Sequence, residues 1–264
     1  MSASLSFALP ETVIVTGAAS GLGHEFCRLL LDSGARVIGV DLAEAQPDLA
    51  ERDGYVHVAG DVAGADTWSR VGETIDASEA RSLGLVTSAA ILDVGSVLEA
   101  TPAIVERAMK VNVLGTVLAI QELLPRMVAQ GGGAIVAVAS VNATLAEQQL
   151  GIYNASKAAI RQLARTVAMD HARSGLRVNV LSPGPMLAGL FKRHLESASD
   201  GDKFLATRSA RQPGGRILEA REVAQAGLFL LSDGASALLG ADVVADGGLT
   251  TSFDFRTGAE GASV

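Results

Sequence analysis

Seven short runs, nearly continuous in branched apolar residues, recur along the chain: TVIVT (12–16), ARVIGVD (35–41), YVHVA (55–59), LGLVTS (83–88), AIVAVAS (134–140), RVNVLS (177–182) and ADVVA (241–245). They lack the in/out alternation of a sheet with one wet face, so they read as strands covered on both sides. Between them, roughly at 21–32, 65–79, 101–129, 152–173 and 219–231, apolar residues return at helical spacing. Strands alternating with helices imply right-handed βαβ units and an α/β fold, a doubly wound parallel sheet of about seven strands. Such sheets bind ligands beyond the carboxyl ends of their strands, so the chemistry is sought just after each run.

The 264 residues suit one large domain spanning 1–264, because no Pro/Ser-rich linker, charge block or internal repeat divides them and 48% are hydrophobic. The net charge of −8 argues against a nucleic-acid partner, which needs a basic face. The single cysteine, Cys27, cannot form an internal disulfide and reads as helix core among Phe26, Leu29 and Leu30. The N-terminal MSASLSFALPE lacks the basic and apolar regions of a secretory signal, and no stretch reaches the length of a membrane span. The expectation is a soluble, cytoplasmic protein with no membrane partner. His24, His57, His171 and His194 show no metal-ligand spacing, so no metal site is expected.

After the first strand comes TGAASGLG, with Gly17, Gly21 and Gly23 opening the helix that starts near Leu22. Glycines there let the backbone approach a pyrophosphate held at a helix N-terminus, although they are also compatible with a purely structural turn. The second strand ends in Asp41, 18 residues past Gly23. A carboxylate at that place accepts hydrogen bonds from an adenosine ribose and repels a 2′-phosphate; the alternative is a cap for the following turn. Asp61 and Val62 follow the third strand and suit an adenine edge and face, or, for Asp61, a plain turn. YNASK (153–157) sets one of two tyrosines four residues before one of four lysines, so Tyr153 and Lys157 share a helix face.

In this order the motifs resemble those of the classical short-chain dehydrogenase/reductase family, over residues 10–248. TGAASGLG matches its T-G-x-x-x-G-x-G loop, Asp61-Val62 its adenine pair, Val111-Asn112 its helix-borne Asn, and YNASK its Y-x-x-S-K; Ser140 stands 13 residues before Tyr153, and SPG (182–184) and DGG (246–248) complete the set. Two places depart from the pattern. Thr87-Ser88-Ala89-Ala90 stands where the family usually has N-N-A-G, and Ala188 stands where a Thr often meets the nicotinamide carboxamide.

The resemblance implies a Rossmann-type single domain that interconverts a secondary alcohol and a ketone, or a sugar hydroxyl and its lactone or keto form, with NAD(H). It assigns catalysis to Ser140, Tyr153, Lys157 and Asn112, and cofactor binding to Gly17, Ser20, Gly21, Leu22, Gly23, Asp41, Asp61, Val62, Ser88, Tyr153, Lys157, Pro183 and Met186. Tyr153 acts as general acid/base, Lys157 lowers its affinity for the proton and holds the nicotinamide ribose, and Ser140 hydrogen-bonds the substrate oxygen. Asn112 holds a water that relays the proton, or is instead a satisfied buried amide. Met186 N–H is the candidate for the carboxamide contact that Ala188 lacks. Substrate contacts are expected from Ser140, Tyr153, Asn142 and Gln148, since Glu147, Gln148 and Gln149 add to the polarity of loop 141–152 and favour a small polar, polyhydroxy substrate. Lys192, Arg193, Lys203, Arg208 and Arg211 make a cationic lid of the second loop, 185–212, which raises the alternative of an anionic substrate. Other readings are a 3-ketoacyl-thioester reductase and a non-catalytic protein that senses dinucleotide. The apolar faces of helices 101–129 and 152–173 predict a homotetramer or homodimer, and Phe253 and Phe255 in the tail 249–264 are candidates for docking on a neighbouring subunit.

Overall fold

The computed structural model describes residues 6–251; Phe253 and Phe255 lie outside them. Seven strands form one sheet in the order β3-β2-β1-β4-β5-β6-β7: β1 (Thr12–Thr16), β2 (Arg36–Asp41), β3 (Tyr55–Ala59), β4 (Leu83–Thr87), β5 (Gly133–Val138), β6 (Leu176–Pro183) and β7 (Asp242–Ala245). All neighbours are parallel. Thr16 pairs with Val40 on one side and Thr87 on the other, and Thr87 pairs with Ala137, so the carboxyl ends of β2, β1, β4 and β5 finish along one rim.

Helices α1 (Gly21–Asp32) and α9 (Ala220–Leu231) cover one face, where Phe26, Leu30, Val223 and Leu230 meet the inward residues Val13, Val15 and Val136. On the other face α3 (Ala65–Ala77), α5 (Gly115–Ala129) and α6 (Gly151–Asp170) contribute Trp68, Val71, Leu123, Met127 and Ile160 against Ile14, Leu85 and Ile135. This double covering is what the unbroken apolar strands require. A short α2 (Pro47–Ala50) follows β2. Cys27 is buried within the first face, and burial pushes its thiol well above the ordinary range. No helix among the described residues is long and apolar enough to cross a membrane.

Two segments differ from the sequence expectation. Residues 101–129 are not one regular helix: α4 (Pro102–Ala108) runs into a π-helical turn (Met109–Leu114) before α5. The wide turn sits where the Asn112 amide is bonded to the segment after β4, and the hydroxyl of Thr116 donates to Asn112 O at 3.0 Å, satisfying a carbonyl in the distorted stretch. The lid is not a loop but two helices, α7 (Gly189–Ser197) and α8 (Gly201–Ala210). Asp200 caps α8 by accepting from Lys203 N–H at 2.9 Å.

Candidate active site

One cavity of about 480 Å³ opens along the carboxyl rim and continues under the lid. At one end lies the glycine loop. Its turn is so tight that a Cβ on Gly23 would lie 2.2 Å from Gly17 O, and one on Gly21 would lie 2.9 Å from Gly189 Cα at the start of α7. Only glycine leaves this cradle open at the N-terminus of α1. Ser20, Leu22, Asp61, Val62 and Ser88 line the same end.

Asp41 at the end of β2 is oriented by two backbone donors, Ala19 N–H to Oδ2 and Ala43 N–H to Oδ1, each at 3.0 Å. It therefore serves the turn and faces the cavity as well, since each carboxylate oxygen keeps a further acceptor position. Asp61 likewise accepts from Ala63 N–H at 2.9 Å. Among the described residues lining this end none is cationic, and Lys110 Nζ stands 4.0 Å from Asp61 Oδ2. A cradle with exposed helix N–H groups, a fixed carboxylate beyond it and an apolar wall at Val62 fit a nicotinamide dinucleotide. Pro183 and Met186 line the cavity on the opposite side, where Met186 bridges to Leu218. The T-S-A-A departure leaves the rim closed, with Ala89 N–H donating to Thr16 Oγ1 at 3.1 Å.

Ser140, Tyr153 and Lys157 come together in the middle of the cavity. Ser140 caps the single turn Val141–Ala143 beyond β5, accepting from Asn142 N–H at 3.1 Å, and its hydroxyl favours the ionised form of the Tyr153 phenol. Tyr153 and Lys157 stand one turn apart on α6, with Nζ 5.7 Å from the phenol ring centre. Lys157 is 2% exposed and donates to Val138 O at 2.9 Å. Burial pushes Tyr153 up to about 12, with the Ser140 hydroxyl opposing the rise and the Glu147 carboxylate adding to it. Burial likewise pushes Lys157 down to about 8. In the protein alone, desolvation thus outweighs the help that the sequence reading expected Lys157 to give Tyr153.

Asn112 is fully buried and its amide is satisfied: Oδ1 accepts from Ile91 N–H at 2.8 Å, and Nδ2 donates to Ile91 O at 3.0 Å and Ser156 Oγ at 2.9 Å. Both amide hydrogens are thus used, while Oδ1 keeps one further acceptor position.

Under the lid the cavity is walled by Leu92, Val141, Leu150, Leu190, Phe191, His194 and Phe204, with Asn142, Glu147, Arg193 and Arg208 among them. Gln148 is exposed and does not line the cavity, so it is corrected as a substrate contact; the chain reverses beside it at Gln149, which has φ 63°. Lys192, Lys203 and Arg211 also lie outside the lining. The aromatic wall was missed from sequence. Phe191 and His194 are three apart on α7 and meet Phe204 of α8 at 5.6 and 5.1 Å between ring centres, a spacing visible only once 189–197 is known to be helical.

A strand–glycine loop–helix cradle, a carboxylate at the end of β2 and a Ser/Tyr/Lys group beyond β5 define a dinucleotide-dependent oxidoreductase site. The family model described as enoyl-(acyl carrier protein) reductase matches residues 17–250. The cis-4-hydroxycyclohexanecarboxylate dehydrogenase of Sinomonas cyclohexanicum is 38% identical over 251 residues, which are 91% of this chain and 96% of that one. The galactitol 2-dehydrogenase (L-tagatose-forming) of Cereibacter sphaeroides is 37% identical over 242 residues, 89% and 93% of the two chains. The ligand-free structure of aldohexose dehydrogenase from Thermoplasma acidophilum superposes with a TM-score of 0.87 at 28% identity, covering 96% of this chain and 100% of that one. The chain belongs to the short-chain dehydrogenase/reductase family and is similar to its secondary-alcohol and sugar dehydrogenases.

The buried ammonium makes a testable statement about stability. Lys157 titrates near 8 in the folded chain and near 10.5 when unfolded, so between those values the unfolded chain binds more protons and stability rises with pH. Below pH 8 the folded chain carries the full cost of the buried charge. Lys157→Met removes that slope. Urea denaturation midpoints should show the difference between variant and wild type changing in wild type's favour by about 3 kcal/mol from pH 8 to pH 10.5. A difference independent of pH across that window would contradict the burial argument.

Proposed function

We propose that the chain is an NAD(H)-dependent dehydrogenase interconverting a small secondary alcohol and its ketone, with Tyr153 as the general acid/base. The observation that carries this reading is the convergence of Ser140, Tyr153 and Lys157 on the cavity into which the glycine cradle and Asp41 also open. When bound, the oxidised nicotinamide supplies the hydride acceptor and a positive charge. Tyr153 Oη takes the alcohol proton as the carbon loses hydride, and Ser140 Oγ donates to the same substrate oxygen as charge develops on it. Lys157 contributes a cation one helical turn away, in surroundings where water screens it little. In the reverse direction Tyr153 returns its proton to the ketone oxygen.

Two features bear on the substrate. Asn142 and Glu147, which in sequence favour a polyhydroxy compound, are bonded to each other at 3.1 Å, and the remaining wall is mainly apolar and aromatic. This supports a compact alicyclic or short-chain carbon skeleton bearing the hydroxyl, and Arg193 at the cavity edge suits an anionic substituent. The similarity to an enzyme named for cis-4-hydroxycyclohexanecarboxylate agrees with this choice.

Turnover against cyclic alcohols, hydroxy acids, polyols and 3-ketoacyl thioesters tests the class. Tyr153→Phe should bind NADH nearly as wild type does while kcat falls by ~10²-fold or more. A variant keeping most of its turnover removes Tyr153 from the chemistry. Because Tyr153 holds its proton to high pH, wild-type alcohol oxidation should climb between about pH 6 and pH 9 while ketone reduction does not.

Asp41 generates the cofactor preference. A 2′-phosphate would bring nearly two negative charges to a carboxylate with no cation beside it, and like charges about 4 Å apart repel by roughly 4 kcal/mol at an effective dielectric near 20. NAD(H) is expected to exceed NADP(H) in kcat/KM by on the order of a hundredfold or more, and Asp41→Ser to narrow that ratio. Equal use of both cofactors by wild type overturns the assignment.

We also read the chain as a homotetramer or homodimer. Leu98 is 93% exposed and Val97 71% in the turn before α4, and Met169 is 59% exposed on α6, apolar surface that a second subunit would cover. Light scattering at micromolar concentration should give a multiple of the chain mass, and a monomer would refute this.

A further inference from the structure

A line of hydrogen bonds joins the lid to the proposed acid–base pair. Arg208 Nη1 on α8 donates to Glu147 Oε1 at 2.8 Å, and Asn142 Nδ2 donates to Glu147 Oε2 at 3.1 Å. The backbone N–H of Asn142 donates in turn to Ser140 Oγ, and the Ser140 hydroxyl acts on the Tyr153 phenol, favouring its ionised form. Glu147 also accepts through its carbonyl from Asn154 Nδ2 at 3.0 Å, and Asn154 follows Tyr153 on α6. The residue therefore holds the Ser140 side and the Tyr153 side of the pair together. Arg208 is fixed from the lid as well, its guanidinium carbon 5.2 Å from the centre of the Phe204 ring that packs on Phe191 and His194.

We infer that Glu147 is a positioning residue for the Ser140–Tyr153 pair and that Arg208 is the lid's catch upon it, so that seating α8 sets how readily Tyr153 exchanges its proton. This rests on Tyr153 being the acid/base, as proposed above. An exposed ion pair would contribute little. This one is about one-third exposed on each side, and Glu147 is held from the loop, the lid and α6 at once. Both of its carboxylate oxygens have donors, one from the loop and one from the lid, which fixes the orientation of the group. Its charge acts on Tyr153, raising the phenol's hold on its proton.

The other charged or titratable groups that line the cavity are Lys157 on α6, Arg193 and His194 on α7, and Asp41 and Asp61 at the cofactor end. Glu147 is thus the one carboxylate lining the substrate end among the described residues, and Arg208 is the cation bonded to it. With α8 seated, the guanidinium offsets the carboxylate. With α8 lifted, Glu147 faces Tyr153 uncompensated and the proton is held more firmly.

The test compares pH profiles of kcat for alcohol oxidation by the full chain with NAD. Variants are Arg208→Met, Arg208→Lys, Glu147→Gln and the Glu147→Gln/Arg208→Met double variant, each checked for NADH binding by fluorescence. Arg208→Met should move the acidic limb to higher pH by on the order of half a pH unit, and Glu147→Gln should move it to lower pH. Arg208→Lys should restore the wild-type limb. Adding Arg208→Met to Glu147→Gln should move the limb no further, because the charge on which Arg208 acts is gone.

Limbs that stay in place in variants that still bind NADH overturn the inference, as does an equal shift from Arg208→Met with and without Glu147. The two conservative variants, Arg208→Lys and Glu147→Gln, keep the test decisive should Arg208→Met not fold. Tyr153→Phe in the same assay separates the two readings. If it retains turnover, the acid/base assignment itself fails; if it is inactive while the limbs do not move, only the role of Glu147 and Arg208 fails.

Discussion

One ammonium group kept out of water organises this site. Lys157 is buried with a single backbone carbonyl, Val138 O, within bonding distance, and an isolated buried cation is costly enough to persist only where its surroundings leave it no alternative. Those surroundings are specific. Ser156, its neighbour on α6, receives a hydrogen bond from Asn112, and Asn112 clamps both backbone groups of Ile91 in the segment after β4. The π-helical turn carries Asn112 at this place, so the irregularity between α4 and α5 locks α6 against the rim of the sheet. The Tyr and Lys side chains are thereby carried on a helix fixed at both its packed face and its neighbour segment, which is the rigidity that an acid–base pair needs.

The lid belongs to the same arrangement at both of its ends. Its first helix begins at Gly189, whose Cα would lie 2.9 Å from a Cβ on Gly21, so position 21 has no room for a side chain there. The lid is held again where Arg208 meets Glu147. Between these points the aromatic cluster of Phe191, His194 and Phe204 joins α7 to α8. The lid thus touches the glycine cradle at its start and the loop after Ser140 at its far end, with packed rings between.

The sheet, the glycine cradle, Asp41 and the Tyr153–Lys157 pair were legible because each depends on local pattern (apolar runs, residues just past strand ends, one helical turn between two side chains), whereas Ser140 entered through the family resemblance. What the sequence did not show depends on tertiary contact. The break in helix 101–129 arises from Asn112 reaching Ile91, a partner 21 positions away that no periodicity reveals. Helix α8, GDKFLATRSA, has no continuous apolar stripe and is held by its Asp200 cap and the Phe204 contacts, so it read as loop. Asn142 read as a substrate contact and Glu147 as part of the loop's polarity because residue types carry no record of pairing; in the structure they are bonded to each other. Gln148 failed for a related reason, since polarity near a site does not say which way the backbone turns.

The same burial pushes Tyr153 toward its neutral phenol and Lys157 toward its neutral amine. Taken alone this opposes base catalysis, yet it follows from what makes the pair effective once assembled. Withdrawing both groups from water removes the screening that would weaken a cation's influence on a developing phenolate, so a positive charge brought nearby acts at a low effective dielectric. Before assembly there is no such charge close enough to offset desolvation, and Glu147 adds to the phenol's hold on its proton. If Tyr153 is the acid/base as proposed, such a site gains its acid–base poise from the charges brought by the groups that close it. Shielding from water and dependence on compensating charge are then two consequences of one structural choice, the burial of Lys157 beneath the rim of β5.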